Sequence, residues 1–110
     1  MMSQWTFLTN HAIVLSYISR RASITGRELS LQIGITERAI RRIISDLEDE
    51  GYITKAKEGR RVRYSINPRL PLRHKTQKHK MIGDFLGFLG WKKNHLKEKG
   101  ANPSSNPNLA

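Results

Sequence analysis

Residues 25–47 read TGRELSLQIGITERAIRRIISDL, and the spacings inside this stretch decide the fold. Thr25-Gly26-Arg27-Glu28 has the form of a capping box, in which the threonine hydroxyl and the glutamate carboxylate each satisfy an orphan backbone amide. It opens a helix carrying Leu29 and Ile33 one turn apart, and Gly34 stops it. Only Gly34 and Ile35 separate that helix from the next N-cap, Thr36. Beyond it, Ile40, Ile43, Ile44 and Leu47 follow the i, i+3, i+4, i+7 rule without a gap. Two helices joined by so tight a turn are a helix-turn-helix unit.

Upstream, residues 8–21 read as a first helix. Leu8, Ala12, Leu15 and Ser19, with Ile18, keep helical spacing, Asn10 is placed to cap the start, and Arg20-Arg21 closes it. Downstream, Gly51 ends the third helix, and Tyr52-Ile53-Thr54 begins an extended run toward Glu58-Gly59-Arg60. Strict alternation over 61–66 puts Val62, Tyr64 and Ile66 on one face and Arg61, Arg63 and Ser65 on the other, which makes a hairpin with Gly59 in its turn. Asn67-Pro68 and Leu70-Pro71 break regular structure. Helical spacing resumes from Lys80 to Trp91, with Ile82, Phe85, Leu86 and Leu89 on one face. Gly83, Gly87 and Gly90 weaken that last helix on its own, so it needs a packing partner. The expected class is mainly α with a small β-hairpin, a single domain over 1–99. Residues 100–110, rich in Asn, Pro and Ser, are expected to be a disordered tail.

A chain of 110 residues that is 37% apolar buries one modest core. It has no cysteine, which excludes disulfides and thiolate metal sites. No apolar run approaches the roughly 20 residues needed to span a bilayer. Met1-Met2-Ser3-Gln4-Trp5 lacks the character of a signal peptide, so a cytoplasmic, nucleoid-associated protein is expected. The net charge of +11 lies entirely in the second half: residues 1–51 carry equal numbers of acids and bases. Such an imbalance favours a polyanionic partner. Lysines 75, 78, 80, 92, 93, 97 and 99 around the last helix suit a membrane surface as well, but three glycines within it weigh against folding at an interface.

On the third helix, at 100° per residue, Arg38, Arg42 and Ser45 lie opposite the isoleucine stripe, with Glu37 and Arg41 on a flank. Arginine donates two hydrogen bonds to guanine O6 and N7, and the amides of Thr36 and Glu37 at the helix start suit a phosphate. Arg42 and Asp46, four apart, form an expected ion pair. The hairpin adds Lys55, Lys57, Arg60, Arg61 and Arg63, a slim cationic finger suited to a minor groove or flanking phosphates. His11, His74, His79 and His95 show no i, i+4 pair, so no metal is expected. His11 and His74 read instead as hydrogen-bonded residues joining the first helix to the segment after the hairpin. No nucleophile with an adjacent base and no phosphate loop appears, so neither catalysis nor a cofactor is expected.

Phe7 to His11, Gly34 to Arg38, Asp46-Leu47, Gly51-Tyr52, Gly59 to Tyr64 and Pro71 to His74 together resemble small bacterial winged helix-turn-helix transcriptional regulators of the MarR-like group, over residues 6–89. The pattern departs at Val62 and Lys75, and the second departure is expected to lengthen the last helix. The resemblance implies DNA binding through the helix at 36–50 and the wing at 53–66, and dimerisation through terminal helices. The expected function is a homodimeric, sequence-specific regulator on double-stranded DNA. Leu8, Ile82, Phe85, Leu86 and Leu89 form its expected seam, the other reading of the last helix's stripe being that it covers the domain's own core, and its effector is unknown. The alternatives are an architectural or replication-linked DNA binder, or a protein-interaction module on the same fold.

Overall fold

The computed structural model describes residues 5–92. Its elements run α1 (Asn10–Ser19), α2 (Gly26–Ile33), α3 (Glu37–Asp49), β1 (Ile53–Glu58), β2 (Arg61–Ile66) and α4 (Ile82–Phe88). The expected tail at 100–110 lies outside the described residues.

Each boundary has a local cause. Thr25 and Glu28 complete the capping box with two 3.0 Å bonds. Gly34 ends α2 at φ 84°, and Thr36 caps α3 by accepting from the Ala39 amide. At the far end of α3 the Gly51 amide donates to the Glu48 carbonyl and the Tyr52 amide to that of Leu47. With Gly51 at φ 86° this is a Schellman ending, a backbone that favours glycine. The start of α1 departs from expectation: Thr9, not Asn10, is the cap, its hydroxyl accepting from the Ala12 amide at 3.1 Å. The helix is therefore shorter than 8–21. Its buried face also includes Val14, fully inaccessible, because Ala-Ile-Val-Leu at 12–15 is apolar around most of the turn and leaves the stripe ambiguous.

β1 and β2 pair antiparallel from Ile53 opposite Ile66 to Glu58 opposite Arg61, so Gly59 and Arg60 form the turn. A further contact seats this hairpin: Ile24, in the loop between α1 and α2, exchanges two 3.0 Å backbone bonds with Val62. A single-residue bridge leaves no periodicity to read in the sequence.

Val14, Ile18, Leu29, Ile40, Ile53 and Leu86 are the most deeply buried large side chains, and they gather elements α1 to α4 around one core. The isoleucine stripe of α3 lies inside it as expected. α4 does not match its expectation. It spans 82–88 rather than 80–91, with no side-chain cap at Met81 and Gly90 at φ 109° beyond its end. Lys75 does not extend it, because residues 74–80 fold into turns in which Gln77 and Lys80 donate to the carbonyls of His74 and Gln77. Ile82 and Leu86, of the expected seam, are 6% and 0% exposed and pack inside the domain's own core. Leu8, Phe85 and Leu89 are half-buried.

Gly83 is the point of closest approach between α4 and the segment after the wing. A Cβ there would stand 2.7 Å from the Pro68 Cβ and 3.1 Å from its carbonyl oxygen, so backbone has to move. Gly83→Ala is expected to lower stability by about 1–3 kcal/mol. Gly87 has open space around it, and Gly87→Ala is expected to raise stability by roughly 0.5–1 kcal/mol through helix propensity. Thermal unfolding of the two variants, which shift in opposite directions, checks the packing.

Candidate nucleic-acid interface

With its stripe buried, α3 presents Thr36, Glu37, Arg38, Arg41, Arg42 and Ser45 to solvent. Among the described residues no acidic partner is found for Arg38, Arg41 or Arg42. The expected Arg42–Asp46 pair does not form, because the Asp46 carboxylate accepts instead from His11 Nε2 on α1, at 2.8 Å. A cleft of about 880 Å³ opens between these helices, lined by Asn10 and His11 from one side and Thr36, Arg38, Ala39, Arg42 and Ile43 from the other.

The wing's cations divide into two groups. Lys57 and Arg60, at and beside the tip, have no acidic partner among the described residues. Lys55 lies 3.5 Å from Glu48, and Arg63 donates to its neighbour Glu58 at 2.9 Å. Arg61 turns back onto the body. Its guanidinium donates to the Ser23 hydroxyl at 3.0 Å, to the Ser23 carbonyl at 2.9 Å and to Glu28 at 3.3 Å. Beside the Ile24–Val62 bridge, these bonds fix the angle between the wing and the start of α2. Sequence reading assigns Arg61 to the polyanion alone. Ser23 and Glu28, more than 30 residues away, carry no local signal of this role.

The histidines do structural work in ways the sequence leaves open. His11 bonds Asp46, and His74 Nδ1 bonds within its own turn to Thr76, so the two do not join each other. Both nevertheless line one apolar hollow of about 430 Å³ with Phe7, Leu15, Tyr52 and Phe85. Tyr52 donates to the Pro71 carbonyl at 2.6 Å, and burial pushes its hydroxyl pKa up. Among the described residues no three His, Asp or Glu side chains gather as a metal site, and no helix is long and apolar enough to cross a membrane.

A tight helix-turn-helix, an exposed cationic face on its second helix and a basic hairpin docked beside it now stand together. Residues 13–54 match a family model described as winged helix-turn-helix DNA-binding. The fold is a winged helix-turn-helix. The match runs from α1 to the first residues of the wing, under half of the chain, and it supports DNA as the partner. No curated protein matches the chain. α3 is the second helix of the helix-turn-helix, and its exposed arginines, for which no acidic partner is found among the described residues, lie opposite the core that anchors it.

One consequence of the wing anchor is pH dependence. The Thr25 amide, then the Arg61 guanidinium, hold the Glu28 carboxyl below its ordinary range. A carboxyl whose folded pKa is depressed adds stability above its unfolded pKa and loses it as pH falls through the folded value. The stability gap between the native chain and Glu28→Gln is therefore expected to be open at neutral pH and to close through the acidic range. Melting curves from pH 7 down to pH 3 check this, and a gap that stays constant refutes the anchor.

Proposed function

We propose that this chain is a sequence-specific, double-stranded-DNA-binding transcriptional regulator of the MarR-like kind, acting as a homodimer in the cytoplasm. The observation that carries the reading is the exposed face of α3, where Arg38, Arg41 and Arg42 stand without acidic partners among the described residues above a buried isoleucine stripe. Arg38 and Arg42 reach base edges in the major groove, with Thr36, Glu37, Arg41 and Ser45 beside them. Lys57 and Arg60 at the wing tip meet the flanking minor groove or its phosphates. Lys55 and Arg63 add to the wing's field, and Arg61 orients the wing.

The dimer is supported by aromatic surface that the monomer leaves uncovered: Phe7 is 91% and Phe88 is 88% exposed, and Trp5 stacks edge-on against Phe7 at 5.0 Å. These residues, with Leu8, Phe85 and Leu89 at their margins, replace the seam expected at Ile82 and Leu86. Two-fold pairing sets the recognition helices about 34 Å apart, one turn of DNA, so the site is an inverted repeat.

Selection from a random duplex pool at two salt concentrations, followed by sequencing, tests the reading. An enriched inverted repeat with half-sites about a turn apart is expected. Salt-sensitive binding without enrichment would make the protein an architectural binder, and absence of binding would redirect it to protein partners.

A further inference from the structure

We propose that His11 is a positioning residue for DNA binding, acting through Asp46 to keep the Arg42 guanidinium free for phosphate or base. The proposal rests on the DNA-binding reading and adds to it a residue outside the helix-turn-helix and the wing.

Arg42 and Asp46 are one turn apart on the exposed side of α3, a spacing at which opposite charges pair on a helix. In that pairing the acid occupies the guanidinium that DNA needs and sets a negative charge beside an approaching phosphate. The structure shows a different partner: Asp46 Oδ2 accepts from His11 Nε2 at 2.8 Å, across 35 residues of sequence. A carboxylate only accepts, so Nε2 carries the proton. His11 and Arg42 then line the same cleft without sharing the acid. On the other side of His11 lie Asp49, Glu50 and Arg73, the last paired with Glu50 at 2.9 Å, so no second base there competes for Asp46.

Burial does not explain the bond. The His11 and Asp46 side chains are 49% and 53% exposed, and a contact between two groups so open to water adds little to folding. Its consequence lies in the charge left on the cleft: Arg38 and Arg42 have no acidic partner among the described residues, and the Asp46 carboxylate is bonded toward α1.

A tether and a charge-positioning role give opposite results in a double-variant cycle. Binding to a labelled duplex carrying the selected site is read by fluorescence anisotropy at about 50 mM salt, where exposed charges act most strongly. His11→Ala is expected to weaken binding about 1.4- to 2.3-fold, the range set by one helix-surface ion pair that DNA must now displace. Asp46→Asn is expected to bind at least as well as the native chain, and His11→Ala with Asp46→Asn to recover native affinity. His11→Gln, whose amide nitrogen also donates, is expected to stay close to native. In an Arg42→Ala background, His11→Ala should change nothing further. Melting temperatures of each variant confirm that the fold is kept. The proposal is overturned if Asp46→Asn weakens binding as much as His11→Ala and the double variant recovers nothing, which is the signature of a tether. It is overturned equally if His11→Ala and His11→Gln both bind as the native chain does. A native chain that binds no duplex would remove the DNA-binding reading and this proposal with it.

Discussion

Leu86→Ala is expected to reduce unfolding free energy by about 2–5 kcal/mol, a large share of the roughly 5–15 kcal/mol that holds a small domain together. Leu86 is completely inaccessible and belongs to the same cluster as Val14, Leu29, Ile40 and Ile53. Truncating it leaves a void that the surrounding side chains fill only in part, and the forfeited transfer energy and the residual cavity add together. Denaturant unfolding at two protein concentrations tenfold apart separates the two roles open to α4. If Leu86 serves the core, the destabilisation is the same at both concentrations. If it served a subunit seam, the destabilisation would shrink as protein is diluted, because the native chain then also loses the stability that dimerisation adds. Phe88, on the same helix but 88% exposed, supplies the contrast: Phe88→Ala should change the monomer's stability by less than about 0.5 kcal/mol. An unaltered midpoint for Leu86→Ala would mean that α4 is not part of this fold's core.

That contrast also shows where the sequence stops being informative. The helix-turn-helix was legible because every boundary in it is local: a capping box spanning four residues, glycines at positive φ, and four apolar residues at helical spacing. The wing was legible through its alternation of Val62, Tyr64 and Ile66 with charged or polar neighbours. α4 was only half legible, since an apolar stripe reports that it will be covered without saying by what. The answer depended on Pro68, whose ring and carbonyl fit against Gly83. The same limit applies to the charged groups. Arg42 and Asp46 pair by local rules, yet His11 takes the acid. Arg61 reads as one more wing cation, yet Ser23 and Glu28 hold it. In each case a partner from a distant part of the chain displaces the local one, and only the tertiary arrangement brings it within reach.

Arg38→Ala and Arg42→Ala are each expected to weaken the selected site by about 1–3 kcal/mol, and the double variant by about 2–5 kcal/mol. The combined figure is held below a simple upper sum because the two side chains are one turn apart and share a cleft, so their effects are not independent. Direction of change is more telling than size. A bidentate bond pair to a base edge discriminates, so removing it should flatten preference at particular positions of the half-site while leaving nonspecific binding largely intact. Arg60→Ala and Lys57→Ala at the wing tip should instead weaken all duplexes alike and lower the salt slope by about one for each phosphate no longer neutralised. Arg61→Ala should behave as neither. Its guanidinium is held by Ser23 and Glu28, so its removal should release the wing and lower the melting temperature together with affinity for every sequence. Repeating the pool selection with each variant reads these patterns directly. If the Arg38 and Arg42 double variant enriches the same sequence with native affinity, α3 does not face the groove as its buried stripe implies, and the wing must then carry recognition.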